Sequence, residues 1–383
     1  MYRALLTGHR QASVQKRVVG TLTAMACLAA LAACSDSDAS GSNGASGGGD
    51  ALVDEAKKLA AEYEAPQESF NLPALDSAPP AGKRIAVVVN NIPESHDILV
   101  GAQEAAEALG WTTIPIVYDP STPTGMQDAF AQAVDESPDG VITQAADTTA
   151  YAQAAEAFAA ADIPVVTSNT TDEVKPPIVA NVTDAEQVAL AGRLTAAYVV
   201  AEKGADANVA IFNVPSFSIL QAYESAFADE FARLCPGCEF KSVAVQPADI
   251  GTKVPAQVVS TVQTNPDINV AVMGFGAVSL GVAPALKGAG ITSVDIVGEA
   301  PAIGNVEALI KGDEKMWIAF PLRGIGWKSV DALARYYVLG TAEDSTNAPM
   351  PFQIMTKDNV AEPAALPEVA DYQEQFKDLW QVG

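Results

Sequence analysis

The chain contains 383 residues, of which 49% are hydrophobic, and it carries a net charge of −25. This length exceeds what one small core needs and predicts two lobes. This net negative charge disfavours binding to nucleic acid and to anionic lipid headgroups, and it favours solubility.

The N-terminus resembles the signal of a bacterial lipoprotein. Residues 1–17 carry arginine and lysine, and residues 18–33 form an apolar stretch that is too short to span a bilayer comfortably. The stretch ends in Leu-Ala-Ala-Cys at residues 31–34, which resembles a lipobox, in which the cysteine becomes the lipid-bearing N-terminus. We therefore expect residues 1–33 to be a lipoprotein signal peptide and Cys34 to be lipidated. A plain signal peptide and a signal-anchor helix are the alternatives.

Residues 34–82 predict a tether, a short helix and a linker. Residues 35–50 are rich in serine, glycine and aspartate and contain no large apolar side chain, so they cannot bury a core. Residues 50–63 alternate alanine and leucine with lysine and glutamate at helical spacing, which predicts a short amphipathic helix. A proline-rich segment then leads to the folded part of the chain.

From residue 83 onward, apolar β-rich runs alternate with helical patterns. The predicted strands cover residues 84–89, 112–119, 139–144, 163–169, 176–182, 208–214, 239–246, 268–275 and 294–299. The predicted helices cover residues 98–109, 125–136, 150–161, 184–202, 218–234, 256–264 and 278–288. This alternation indicates an α/β fold with parallel sheets covered on both faces. The alternation is interrupted near residues 180–183. This interruption predicts two doubly wound lobes with a cleft between them.

The ligand of such a protein is expected at one edge of the sheets, because α/β sheets bind ligands beyond the carboxyl ends of their strands. The loops at that edge are residues 90–96, 144–149, 168–171, 214–221, 275–277, 299–302 and 320–323. We expect the binding residues to lie in these loops.

Cys235 and Cys238 belong to a Cys-Pro-Gly-Cys turn between a predicted helix and a predicted strand. A redox role requires a thioredoxin-like context, and a metal site requires a second pair of ligands. In an oxidising compartment we expect a disulfide that closes the turn. A redox or metal role is the alternative.

Five segments, in this order and spacing, resemble the type I periplasmic-binding-protein family. They are GAQEAAEALGW, DGVITQAADTTA, AADIPVVTSNTT, QPADIGTK and GVAPALKGAGITSVDIVGE. More narrowly, they resemble the ribose/galactose-type sugar-binding lipoproteins of ABC importers. The resemblance covers residues 83–354.

This resemblance implies two doubly wound parallel-sheet lobes joined by a three-strand hinge. The chain would cross between the lobes near Val182, near Pro321 and at residues 349–352. The implied N-terminal lobe is residues 83–182 plus 322–348, and the implied C-terminal lobe and tail are residues 183–321 plus 349–383.

The resemblance also implies a binding function without catalysis. Proteins of this family capture a small molecule in the cleft and deliver it to ABC permease subunits that work with a cytoplasmic ATPase. We therefore expect an extracytoplasmic monomer, lipid-anchored to the outer face of the cell membrane, that binds a small molecule and no nucleic acid. A sensory binding protein, which presents its ligand to a membrane receptor, is the alternative.

The candidate contacts depart from the sugar-binding pattern of that family. Sugar binders usually carry an Asp-Arg pair where this chain has Asn169 and Thr170, and an arginine where it has Gln221. Their Asn-Asp pair falls at Phe275 and Gly276. A pyranose needs a polar partner for nearly every hydroxyl, since an unpaired buried hydroxyl costs about 1–3 kcal/mol. The site therefore favours a less polar ring compound, and an atypical sugar is the alternative.

The candidate ligand contacts combine polar groups with aromatic rings that can stack on a flat ligand. They are Asn91, Glu94, Ser95, His96, Asn169, Thr170, Phe217, Gln221, Phe275, Glu299 and Phe320. Glu94 and Glu299 would take a ligand hydroxyl or amine, or cap helices. Trp317 lies near the same loops, and the alternative for all these aromatic residues is an ordinary place in the core or hinge.

Two patterns that suggest other chemistry are incomplete. Residues 274–279 nearly copy a dinucleotide-binding fingerprint, but Ser279 replaces its third glycine and the unit falls late in the chain. His96 is the only histidine beyond the predicted signal, which excludes a histidine-based triad and a two-histidine metal site. We therefore expect no cofactor, no metal and no enzymatic activity.

Overall fold

The computed structural model of the protein describes residues 47–361 and 363–383. The predictions for the signal peptide, Cys34 and most of the tether fall outside these residues. Within them, no helix combines the length and apolar character needed to cross a membrane.

The first sheet is built from parallel strands in the order β2-β1-β3-β4-β5. The strands are β1 (Arg84–Asn90), β2 (Thr112–Tyr118), β3 (Gly140–Gln144), β4 (Val165–Ser168) and β5 (Ile178–Asn181). The helices that follow its strands are α2 (Pro93–Ala108), α3 (Gly125–Asp135) and α4 (Ala152–Ala160). Alternate residues of β1 enter different cores: Val87 packs with residues of α2, whereas Val88 packs with residues of α3 and α4. The strand is therefore covered on both faces, as its run of buried β-branched residues predicts.

The second sheet has the order β11-β10-β9-β8-β6-β7, with only β11 antiparallel to its neighbour. Its strands are β6 (Asn208–Asn213), β7 (Glu239–Ala244), β8 (Val270–Met273), β9 (Asp295–Glu299), β10 (Met316–Ala319) and β11 (Gln353–Thr356). Its helices are α5 (Ala185–Lys203), α6 (Ser218–Leu234), α7 (Val254–Thr264), α8 (Val282–Gly288) and α9 (Ile303–Lys311). The two sheets confirm the predicted doubly wound α/β fold. Cys235 and Cys238 form the predicted disulfide in the turn between α6 and β7.

Helix α10 (Leu322–Leu339) returns the chain to the first sheet, where it packs on α2. Two glycines permit this close approach. A β-carbon at Gly101 would lie 2.1 Å from the carbonyl oxygen of Arg323, and one at Gly326 would lie 2.3 Å from that of Ile98. Any larger residue at these positions would force the two helices apart.

Three short helices remain: α1 (Gly47–Ala61), α11 (Glu343–Asn347) and α12 (Tyr372–Trp380). α1 packs on α5, and its Glu55 carboxylate lies 2.9 Å from Arg233 of α6. In α12, Trp380 stacks on Trp327 of α10 with ring centroids 5.4 Å apart and donates a hydrogen bond to Asp331.

The position of α12 differs from the sequence-based grouping of residues 349–383 with the C-terminal lobe. Tyr372, Phe376 and Trp380 recur every four residues and form an aromatic stripe on one face of α12. That stripe meets Trp327 of α10, so the tail packs with the helices of the first sheet.

The chain passes between the two sheets after β5, after β10 and again before β11. Lys328, which is buried in α10, links the passage after β5 to the passage before β11. Its Nζ donates hydrogen bonds to the carbonyl oxygens of Val182 at 3.0 Å and Ala348 at 2.8 Å. Beside them, Phe320 and Phe352 pack with ring centroids 4.5 Å apart. The passages thus form a compact hinge.

Candidate functional site

A cavity lies between the two sheets at the carboxyl ends of their strands, and its empty space, including the opening to solvent, is ≈ 560 Å³. Asn90 ends β1, Gln144 ends β3 and Glu299 ends β9. The residues that line it are Asn90, Ile92, Glu94, Ser95, Ile98, Gln144, Ala145, Asn169, Val188, Phe217, Ile219, Leu220, Phe275, Glu299, Ala300, Phe320 and Leu322.

Three of its polar side chains in the first lobe are already engaged with one another. Ser95 Oγ lies 2.7 Å from Asn90 Oδ1 and 2.7 Å from Gln144 Oε1. Asn90 Oδ1 also accepts from the backbone N–H of Ile92 at 3.1 Å. All three side chains are buried. The network fixes the loop after β1 and engages the Ser95 hydroxyl and the carbonyl oxygens of Asn90 and Gln144.

Three residues that line the cavity have backbones in the left-handed region. They are Ala145 (φ 52°), Asn169 (φ 53°) and Ala300 (φ 47°), each directly after a strand. Residues other than glycine rarely adopt this region, and such strain clusters at binding sites. Each is held by backbone hydrogen bonds, for example from Asn169 to Thr183 at 2.8 Å and from Ala300 to Ile318 at 3.0 Å. The chain therefore turns sharply at the carboxyl end of each of these three strands.

Glu94 contributes a carboxyl group from the first turn of α2. Its side chain is 5% exposed, and Oε1 accepts a hydrogen bond at 2.7 Å from the backbone N–H of Ala277 in the second lobe. Over the described residues, Oε2 has no hydrogen-bond partner. Burial is the main cause that raises the pKa of Glu94 to about 7, since it penalises the ionised form.

Glu299 contributes a second carboxyl group from the carboxyl end of β9. It is 3% exposed, and its Oε2 also has no hydrogen-bond partner among the residues that the structure describes. Burial raises the pKa of Glu299 well above its usual range. Two buried glutamates, each with an oxygen that lacks a hydrogen-bond partner among the described residues, therefore line the same cavity.

The walls of the cavity are mainly apolar. Phe217 and Phe275 of the second lobe lie with ring centroids 6.3 Å apart at an angle of 58°, and Phe320 adds a third ring from the hinge. Ile92 and Ile98 face them from the first lobe. Of the described residues that line the cavity, none is basic. The space thus suits a ring with few polar groups.

The two lobes are in contact around this cavity. Besides the hydrogen bond from Ala277 to Glu94, Ser218 at the start of α6 donates to the Asp147 carboxylate of the first lobe. Thr171 Oγ1 lies 3.4 Å from Ser218 Oγ. These contacts join the rims of the cleft, so the structure represents a closed arrangement.

Several of the sequence-based candidates line the cavity. These are Glu94, Ser95, Asn169, Phe217, Phe275, Glu299 and Phe320. The remaining candidates lie outside it. Asn91 and His96 are exposed, and Gln221 is exposed and donates to the carbonyl oxygen of Pro215 at 3.0 Å. Thr170 is buried but turns away to accept from Asn181, and Trp317 is buried in the second lobe, where it donates to Glu314.

Sequence reasoning did not select ten of the lining residues individually. Asn90 and Gln144 carried a usable signal, because each is the last residue of a buried strand and lies in a loop at the predicted edge. The others are apolar, and most of them, such as Ile98 and Leu220, lie in helices. Their pattern is the same as that of residues that fill the core.

Comparison with known proteins places the fold in a family. Residues 85–341 match the family described as "Periplasmic binding protein domain", and the chain belongs to that family. The proteins of this family generally bind their ligands without catalysis and act outside the cytoplasm. A search of curated proteins found no match.

Solved structures share the fold at low sequence identity. A solute-binding protein of an ABC transporter from Agrobacterium vitis, bound with α-D-tagatopyranose, has a TM-score of 0.64 at 23% identity, covering 73% of this chain and 97% of that chain. A periplasmic ribose ABC transporter protein from Conexibacter woesei has a TM-score of 0.60 at 19% identity, covering 73% and 94%. A structure described as a LacI transcriptional regulator from Bacteroides fragilis has a TM-score of 0.64 at 17% identity, covering 73% and 98%. These structures therefore share the type I fold with this chain, but they do not indicate a single ligand for it.

Proposed function

We propose that this protein is an extracytoplasmic solute-binding lipoprotein of an ABC importer, and that its ligand is a small ring compound less polar than a sugar. The observation that carries this proposal is the inter-lobe cavity, closed by hydrogen bonds between the lobes and walled by three phenylalanine rings. The ligand is captured when the lobes close around it and is delivered to a membrane permease. In this proposal, one lobe comprises residues 83–182 plus 322–348, and α12 packs with it. The other lobe comprises residues 183–321 plus 349–356.

The polar groups of the cavity favour this ligand over an aldose. The Ser95 hydroxyl and the carbonyl oxygens of Asn90 and Gln144 bind one another, so a sugar hydroxyl would have to displace one of them to pair there. The carboxyls of Glu94 and Glu299 add oxygens without a hydrogen-bond partner among the described residues. A pyranose placed here would leave hydroxyls unpaired against apolar walls, at about 1–3 kcal/mol each.

The same network argues against catalysis in this cavity. Ser95 is the one serine among its described lining residues, and it contacts Asn90 and Gln144 rather than a general base. Its lining also contains no histidine within the described part of the chain. The arrangement therefore offers binding groups without an activated nucleophile.

Ligand-dependent thermal stability tests the proposal. Millimolar ribose, glucose and galactose should leave the melting temperature unchanged, whereas ring compounds with few hydroxyls should raise it. A ligand at a hundredfold excess over its Kd stabilises the bound form by about 2.7 kcal/mol, which such an assay detects readily. A clear shift with an aldose and none with any ring compound would overturn the assignment of the ligand.

A further inference from the structure

Two buried glutamates line one largely apolar cavity, each with an Oε2 that has no hydrogen-bond partner among the described residues, and no basic side chain belongs to its described lining. Glu94 and Glu299 are each at least nine-tenths buried. Glu94 accepts one backbone hydrogen bond through Oε1, so only its Oε2 remains free. A buried carboxyl that lacks a donor is costly, and natural proteins seldom retain two of them in a binding cavity without a partner.

The charged and titratable groups around the pair do not provide that partner. Asp97, on the same helix as Glu94, adds negative charge, and Arg323 of α10 lies against Asp97 at 3.7 Å and Glu104 at 3.5 Å. Tyr223 of α6 is near Glu299, but its hydroxyl donates to Thr195 at 3.0 Å. No neighbouring basic side chain therefore stabilises these carboxyls in their ionised form, whereas a cationic ligand would do so.

A metal ion does not fit this position. The described residues contain no group of three or more His, Cys, Asp or Glu side chains able to hold one. Calcium and magnesium need six or more oxygen ligands, and most of the remaining wall is aliphatic or aromatic. An organic cation does fit, because the faces of Phe217, Phe275 and Phe320 attract positive charge as well as apolar surface.

We propose, on the basis of the binding function proposed above, that the ligand is a protonated amine carried on an apolar ring. Its ammonium N–H groups donate to the free oxygens of Glu94 and Glu299, and its ring lies among Phe217, Phe275 and Phe320. Because Glu94 also holds the Ala277 backbone of the opposite lobe, the ammonium group would sit where the two lobes meet. Charge recognition and closure would then depend on the same side chain.

Matched amine and alcohol probes test this proposal. Calorimetry at pH 7.5 should be run with 2-phenylethylamine against 2-phenylethanol, cyclohexylmethylamine against cyclohexylmethanol, and tryptamine against tryptophol. In at least one pair the amine should bind 100-fold tighter than the alcohol of the same shape. For that amine, Glu94→Gln and Glu299→Gln should each weaken binding at least tenfold while leaving the affinity for the alcohol within threefold.

Glu314→Gln is the matched control. Glu314 is buried and its pKa is raised to about 7 by burial, but it pairs with Ser279, Asn305 and Trp317 outside the cavity. This variant should bind the amine as the unmodified protein does. Binding of the amine should also release protons at pH 6.5, since it ionises Glu94 and Glu299, and Glu94→Gln should reduce that release.

The outcomes separate this proposal from the one on which it rests. Alcohols that bind as tightly as their amines in every pair overturn the ammonium proposal and leave the apolar ring ligand intact. Binding of aldoses with no response to any ring compound overturns both. Failure of every amine to bind, or an equal loss of binding in Glu314→Gln, likewise refutes the ammonium proposal.

Discussion

The unpaired carboxyl of Glu94 makes the stability of the protein depend on pH in a predictable direction. Its pKa is raised from 4.5 to about 7 in the folded protein, chiefly by burial. The folded state therefore binds a proton that the unfolded state has already released between these two pH values. The resulting stabilisation is fully present below pH 4.5 and is lost as the pH rises through 7. Between pH 5 and pH 8, Glu94 should cost the unliganded protein about 2–3 kcal/mol of unfolding free energy.

Glu94→Gln isolates this contribution, because glutamine keeps the acceptor for Ala277 and removes the ionisation. Urea unfolding at pH 5 and pH 8 should show the variant gaining about 2–3 kcal/mol over the unmodified protein across that interval. Glu173→Gln, at an exposed glutamate, should show no such gain. If Glu94→Gln keeps the pH dependence of the unmodified protein, Glu94 is already ionised in the folded state and the reasoning from burial is wrong.

Four further variants test the ligand site, the disulfide and the lipid anchor. Phe275→Ala should weaken the binding of a ring ligand about tenfold to a hundredfold in calorimetry, since it removes apolar surface from the cavity wall. Gln221→Ala should leave the affinity unchanged, because that side chain lies outside the cavity. Equal losses of affinity in the two variants would contradict the assignment of the binding site. Replacement of Cys235 and Cys238 by serine should lower the unfolding free energy by about 2 kcal/mol and leave ligand affinity unchanged, and a loss of affinity in the folded variant would indicate a functional pair. Cys34→Ala should release the protein from membranes in a fractionation assay, and retention after a salt wash would refute the lipid anchor.

The sheets of this protein follow from local sequence, because each strand is marked by its own residues. Runs such as residues 84–89 are apolar throughout, which is typical of strands buried on both faces, and the intervening helices have a different periodicity. The position of α12 does not follow in the same way. Its aromatic stripe indicates that Trp380 is buried, but only the folded structure shows that Trp380 stacks on Trp327.

The site is predictable in outline and less so in detail. The rule that ligands bind beyond the carboxyl ends of strands selected loops that contain Glu94 and Glu299. This rule does not determine which way a side chain points when a residue of a predicted loop lies in a helix of the structure. His96 and Gln221 lie in α2 and α6, where the helical turn directs Ser95 and Leu220 into the cavity and their neighbours to solvent. A shift of one residue along a helix rotates a side chain by about 100° and decides between contact and exposure.

The most direct test of the account is a crystal structure of the protein with the ring compound that most raises its melting temperature. The account predicts that the ring lies in the inter-lobe cavity against Phe217 and Phe275, with a polar group of the ligand within hydrogen-bonding distance of Glu94 or Glu299. An aldose bound in this cavity with its hydroxyls paired, or a ring compound bound elsewhere on the protein, would contradict it.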